Sequence, residues 1–316
     1  MRVLVTGANG FVGRALCDAL LKNGHYVRGA VRSKEKVFHA GGIDFCSVGD
    51  IGPDTEWRGA MEGIDIVVHL AGRAHITNKA EIDGDKLLQE IDSIGAERLG
   101  HAAAKAGISR IVYLSTVKVC GDRTEDRPFT EIDLPRPADT YGFFKMKAEE
   151  ALRHIGGKEG TEIVIVRPPL VYGPGVKANF LRLLDIISHG FPLPFALVDN
   201  SRSFIYLGNL VDAIVICVEH PSAAGNIFLV SDGRDVSTPQ LIRMIAAAMG
   251  KRARLVPVPA ALLSILGRLT GKRAEVERLT GSLRIDSSKI RKTLNWGPPF
   301  TMEEGVHETV KWYMSQ

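Results

Sequence analysis

The sequence predicts an α/β fold, a doubly wound parallel sheet with a smaller C-terminal lobe, and three observations predict it. Short apolar runs alternate with longer stretches of helical periodicity through the first half of the chain. The first such run, Val3 to Val5, leads straight into Gly7, Gly10 and Gly13 and then into a helical pattern. After Pro168 and Pro169 the character changes to Gly- and Pro-rich sequence with shorter elements.

Residues 2–6 read as a strand, 12–23 as a helix and 26–31 as a second strand. Residues 64–70 (IDIVVHL) read as a buried strand, followed by a long helix over 86–106. A strand at 111–115 (IVYLS), a helix over 141–152 and a strand at 162–167 (EIVIVR) continue the alternation. Strands this apolar are buried on both faces, and right-handed crossovers then give the doubly wound order. The expected division is 1–169 for the sheet domain, with 204–222 returning to it, and 170–316 mainly for the second lobe. A helix is expected over 239–249. Residues 260–272 (AALLSILGRLTGK) are apolar with a basic end. They are expected to bury their apolar face in the small lobe, in preference to lying on a membrane surface.

The chain has 316 residues and a net charge of +4, too small and dispersed to suggest nucleic acid. Cys17, Cys46, Cys120 and Cys217 are scattered without metal-ligand spacing, so reduced thiols and no metal are expected. With the first strand starting at residue 2 no leader is expected, and no apolar run approaches the roughly 20 residues of a membrane span. A cytoplasmic protein is expected.

Glycines between a buried strand and a helix let backbone N–H groups and the helix dipole face a pyrophosphate, which points to a dinucleotide. The common spacing is G-x-G-x-x-G; here the first gap is one residue longer. Tyr141 and Lys145 lie four apart in a helical pattern and project from one face. A phenol of pKa about 10 is a poor base near neutrality, but a neighbouring ammonium favours its phenolate. Ser115 and Thr116, at the carboxyl end of a strand, offer hydroxyls to hold the oxygen that exchanges this proton. A dinucleotide beside a proton shuttle implies hydride transfer.

Seven segments carry a resemblance: TGANGFVG near the start, VVHLAG at 67–72, LSTVKVCGD at 114–122, YGFFK at 141–145, RPPLVYGPG at 167–175, RSFIYLGNLVDAI at 202–214 and SLRIDSSKIRKTLNW at 282–296. In this order the chain resembles extended short-chain dehydrogenase/reductases of the NAD-dependent epimerase/dehydratase group, along essentially its whole length. The resemblance implies a Rossmann-type fold and oxidoreduction at C4 of a nucleotide-diphosphate sugar. It implies Tyr141 as acid/base, Lys145 as its partner and ribose ligand, and Thr116 rather than Ser115 as the catalytic hydroxyl. For the cofactor it implies Gly7, Asn9, Gly10, Phe11, Val12 and Gly13 in the turn, with Asp50 and Ile51 at the adenine. It adds His69, Leu70, Ala71 and Gly72 over the phosphates, and Ser115 and Pro168 beside Tyr141 and Lys145. For the substrate it implies Thr116, Asn179, Arg202 and Arg278, the arginines on the diphosphate.

Four departures from the family pattern stand out. Cys120 replaces a usual tyrosine and is expected to change the pocket wall above the nicotinamide. Asp92 stands for a helix asparagine that braces the active-site strand, and Leu170 for a frequent asparagine. Val117-Lys118 replaces the Asp-Glu of dehydratases, which argues against 4,6-dehydration. Arg32 and Ser33, after the second strand, suit a 2′-phosphate, so NADP(H) is preferred to NAD(H). That preference favours a UDP-4-keto-hexose reductase of surface-polysaccharide sugar synthesis. The alternatives are a UDP-hexose 4-epimerase, acting on UDP-glucose or UDP-N-acetylglucosamine, and a dinucleotide-binding regulatory or scaffold protein. The resemblance further implies a homodimer through helices beginning near Lys86 and Tyr141.

Overall fold

In the computed structural model, which describes residues 1–37, 41–72, 89–271 and 273–316, seven parallel strands make one sheet. They are β1 (Arg2–Thr6), β2 (Tyr26–Val31), β3 (Ile43–Ser47), β4 (Ile66–His69), β5 (Arg110–Leu114), β6 (Glu162–Arg167) and β9 (Ile227–Leu229). Their order is β3-β2-β1-β4-β5-β6-β9. The chain reverses its direction of progress across the sheet between β1 and β4, and ligands of open parallel sheets bind at such a point. β7 (Leu170–Tyr172) and β8 (Phe204–Tyr206) pair separately.

Successive strand residues point to opposite faces, so one strand feeds two cores. Val3, Val5, Val68, Val112 and Val164 pack with the helices α1 (Phe11–Lys22) and α5 (Leu207–Glu219). Leu4, Val67, Ile111, Tyr113 and Ile163 pack on the other face with α2 (Gly95–Lys105) and α3 (Thr140–Glu159). A third core joins α4 (Ala178–Ser188), α6 (Thr238–Ala248) and the C-terminal helix to β7 and β8.

Three elements differ from the sequence reading. β3 is an edge strand, half-buried along IDFCS, and carries no strong apolar run. β9 has only three residues, too few to display a period, yet it pairs with β6 and extends the main sheet from within 223–300. The helix expected over 86–106 begins, where described, as a π-turn at Gln89–Ile94 before α2; residues 86–88 lie outside the described residues.

The expectation for 260–272 is also overturned. In α7 (Ala260–Leu269) Leu263 is buried, while Leu262, Ile265 and Leu269 are 46%, 52% and 79% exposed. α7 packs on α8 (Arg273–Thr280), where a methyl at Gly267 would stand 2.8 Å from Val276 Cγ2. That contact is close and narrow, and it covers one side of α7 only.

The glycine turn is set by backbone proximity. Gly7 has φ +67°, a region that glycine enters without steric cost. A methyl at Gly13 would lie 2.1 Å from the Gly7 carbonyl oxygen, an atom that cannot yield. Gly13→Ala should therefore lose roughly 2 kcal/mol or more of stability by thermal unfolding and weaken dinucleotide binding at least about tenfold.

Candidate active site

The carboxyl ends of β1, β4 and β5 converge. Gly10 caps α1 with no side-chain hydrogen bond, and the first turn of α1 has no acidic residue, so its positive end is open to an anion. Asn9 is held to Arg14, whose Nη2 donates to Asn9 Oδ1 at 2.8 Å. Thr6 Oγ1 accepts from the Ala71 N–H at 3.2 Å and lies 2.7 Å from His69 Nδ1. This pins the loop of Leu70, Ala71 and Gly72 beside the glycine turn. Burial, reinforced by the Lys145 charge, pushes the His69 pKa down to about 3. The unfolded chain binds that proton and the folded chain does not, so His69 destabilises the fold as pH falls from 6.5 toward 3.

Tyr141 and Lys145 sit in the first turns of α3, which Asp139 caps by accepting from the Gly142 N–H at 2.8 Å. Lys145 Nζ lies 5.9 Å from the Tyr141 ring centroid and 4.9 Å from that of Tyr113. It donates to the Leu114 carbonyl at 3.3 Å and pairs with Asp92 Oδ1 at 3.2 Å. Both side chains of this ion pair are buried. Asp92 comes from the π-turn, a feature frequent at functional sites. Gly72 lies tight against the pair: a methyl there would stand 2.4 Å from Asp92 Oδ1 and 2.9 Å from Lys145 Nζ, so the pair would have to shift. Burial works against the Lys145 ammonium, but Tyr113, Asp92 and Tyr141 together hold its pKa above the ordinary lysine value. For Tyr141 burial dominates and raises the phenol pKa; Lys145 lowers it, while Asp92 and Asp139 raise it.

The strand-end hydroxyls part company. Ser115, expected among the cofactor residues, turns its hydroxyl into the core, where it donates to Glu149 Oε1. Glu149 also pairs with Arg167, whose Nε donates to Oε1 at 2.9 Å. Thr116 is half-buried, and its hydroxyl accepts from the Lys118 N–H at 3.3 Å. Pro168 is buried and accepts from the Val117 N–H at 2.9 Å, fixing this turn on β6. The turn meets α3 closely: a methyl at Gly142 would be 2.7 Å from the Lys118 carbonyl oxygen. Cys120, the position expected to change the pocket wall, is buried and lies 3.5 Å from Arg167 Nη1. Sequence reading missed Glu149, although Tyr141, Lys145 and Glu149 repeat at four-residue spacing along one helix face.

At the far ends of the crevice, Arg32 pairs with Asp50 at 2.7 Å, both exposed, and Ile51 packs against Gly95 of α2. Phe11 and Val12 lie in the first turn of α1, and Phe11 joins the core of the second lobe as well as the sheet core. Arg202 donates to the Gly281 carbonyl at 2.9 Å. Burial and then the neighbouring Arg278 charge push its pKa down to about 10, against the pull of Asp122. Asn179 is exposed in the first turn of α4.

A profile described as the NAD dependent epimerase/dehydratase family matches residues 3–231. The chain belongs to that family. A Vibrio cholerae protein named UDP-glucose 4-epimerase is 41% identical over 315 residues, 99% of this chain and 95% of that protein. A Bacillus cereus UDP-glucuronic acid 4-epimerase, solved with NAD, superposes with a TM-score of 0.81 at 22% identity, covering 100% and 99% of the two chains. A Thermotoga maritima UDP-glucose 4-epimerase, solved with UDP-glucose, gives 0.79 at 22% identity over 100% and 99%. The family's dinucleotide fits the residues present: the N-terminus of α1 has no side-chain cap and no acid in its first turn, so its N–H groups are available to a pyrophosphate.

In this epimerase/dehydratase site Asp92 opposes the effect of Lys145 on the phenol. Asp92→Asn removes that negative charge, which favours the phenolate, so the Tyr141 titration should move to lower pH by about one unit or more. The check is the ultraviolet phenolate absorbance gained on raising pH, with the Tyr141→Phe spectrum subtracted. An unchanged midpoint in the Asp92→Asn protein would leave Asp92 a purely packing role.

Proposed function

We propose that the protein is a UDP-hexose 4-epimerase that works with NAD. The observation that carries this reading is the 41% identity, over 99% of the chain, to a protein named UDP-glucose 4-epimerase. The placement of Tyr141, Lys145 and Thr116 at the sheet edge supports it.

NAD supplies the hydride acceptor and donor when bound. Thr116 holds the C4 oxygen of the sugar, and the Tyr141 phenolate takes the C4 hydroxyl proton. Lys145 stabilises that phenolate and binds the ribose. With the dinucleotide in place, loss of hydride from C4 would leave a 4-keto sugar, and once that sugar has turned in the pocket Tyr141 would return the proton to its C4 oxygen. Arg202, half-buried, and Arg278, whose charge reaches it, form the diphosphate seat, since a guanidinium fork suits phosphate oxygens. Asn179 contributes from α4, so the sugar nucleotide lies on the lobe that follows residue 170.

NAD is preferred to the NADP(H) first expected because Arg32 is engaged by Asp50. A carboxylate at that point disfavours a 2′-phosphate. The UDP-4-keto-hexose reductase reading rested on Arg32 and loses its support by the same contact.

The test is purified protein with UDP-glucose, and separately with UDP-N-acetylglucosamine, followed by NMR without added reduced cofactor. Interconversion with the 4-epimer is expected. Stoichiometric NADPH oxidation by a UDP-4-keto sugar, with no interconversion, would overturn it. Tyr141→Phe should cut turnover by roughly a thousandfold or more and leave dinucleotide binding, read by fluorescence, intact.

A further inference from the structure

Six of the large apolar side chains left exposed among the described residues lie in 191–197 and 256–269. Phe191, Leu197, Val256, Leu262, Ile265 and Leu269 are each more than two-fifths exposed. The two segments are paired: Val256 donates to the Leu193 carbonyl at 2.9 Å and accepts from the Ala196 N–H at 3.2 Å, and α7 starts four residues later. On α7 the spacing 262, 265, 269 forms one stripe, opposite the buried Leu263 and Gly267. An amphipathic helix in a packed lobe normally does the reverse, and an isolated stripe of this kind marks a contact surface.

Charge says what the contact is. From Asp235 to Glu275 the intervening residues include seven lysines and arginines and not one acid. The remaining chain therefore carries +4 − 7 = −3. Arg252, Arg254 and Arg268, all exposed, flank the stripe at both ends. No helix among the described residues is long and apolar enough to cross a membrane. We propose that α7 and the adjoining Val256 and Phe191 segments dock in the plane of an anionic phospholipid surface. The leucines and isoleucine enter the acyl boundary and the basic residues meet the headgroup charge. A second protein copy fits the apolar stripe less well, because two such faces would bring their positive charges together.

The test is co-sedimentation of the full chain with phosphatidylglycerol/phosphatidylethanolamine vesicles, against phosphatidylcholine vesicles. Binding is expected to the first and not the second, and to weaken as salt rises. Leu262→Glu/Ile265→Glu should lower the bound fraction roughly tenfold or more. Arg252→Gln/Arg254→Gln/Arg268→Gln should lower it and weaken the salt dependence. Both variants should keep wild-type turnover of a soluble nucleotide sugar and wild-type thermal unfolding. Equal binding to both vesicle types, or wild-type binding by the Leu262→Glu/Ile265→Glu protein, would overturn the proposal. So would a concentration-dependent dimer, seen by sedimentation velocity, that this double variant dissolves.

Discussion

One ammonium organises the site. Lys145 reaches back from α3 beneath the ends of β4 and β5, where it meets the Leu114 carbonyl, the Tyr113 ring and the Asp92 carboxylate. A charge so far from water persists only when paired and hydrogen-bonded. Its neighbours are therefore constrained in turn. A side chain at residue 72 would displace the pair, the π-turn must deliver Asp92, and α3 must start where Asp139 and Gly142 hold it against the Val117–Val119 turn. The candidate proton donor, Tyr141, inherits its position from this packing.

The same site shows why a nearby cation does not by itself make a phenol acidic. Burial raises the Tyr141 pKa more than Lys145 lowers it, and Asp92 takes part of the cation's influence. In a low-dielectric crevice the desolvation of the phenolate is the larger quantity. A positive charge brought by a bound nicotinamide acts in the same direction as Lys145. Behind Ser115, a second buried ion pair, Glu149 with Arg167, joins α3 to β6 and keeps the strand-end hydroxyls apart in role. Two ion pairs on one helix face thus serve different ends, one toward the crevice and one toward the core.

Much of the fold was legible because its signals are local. The strands β1, β4, β5 and β6 are continuous apolar runs, and the glycines of the first turn stand where only a missing side chain lets the backbone close. β3 and β9 were not legible: one is a half-exposed edge, the other three residues long, and both are strands only because a neighbour offers a ladder. Arg32 read as a phosphate ligand because Asp50, eighteen positions on, comes beside it only through the pairing of β2 with β3. Arg167 likewise reaches Cys120 from another strand, a contact that no local pattern announces.

By itself the sequence determined the parallel α/β architecture, the anion-binding turn and the one-turn spacing of Tyr141 and Lys145, since each rests on neighbours a few residues apart. Only the tertiary structure decided which carboxylate faces which cation, which strand-end hydroxyl is spent in the core, and which side of α7 is left in water. Those outcomes depend on groups dozens of residues apart meeting at contact distance, and no periodicity along a single chain encodes them.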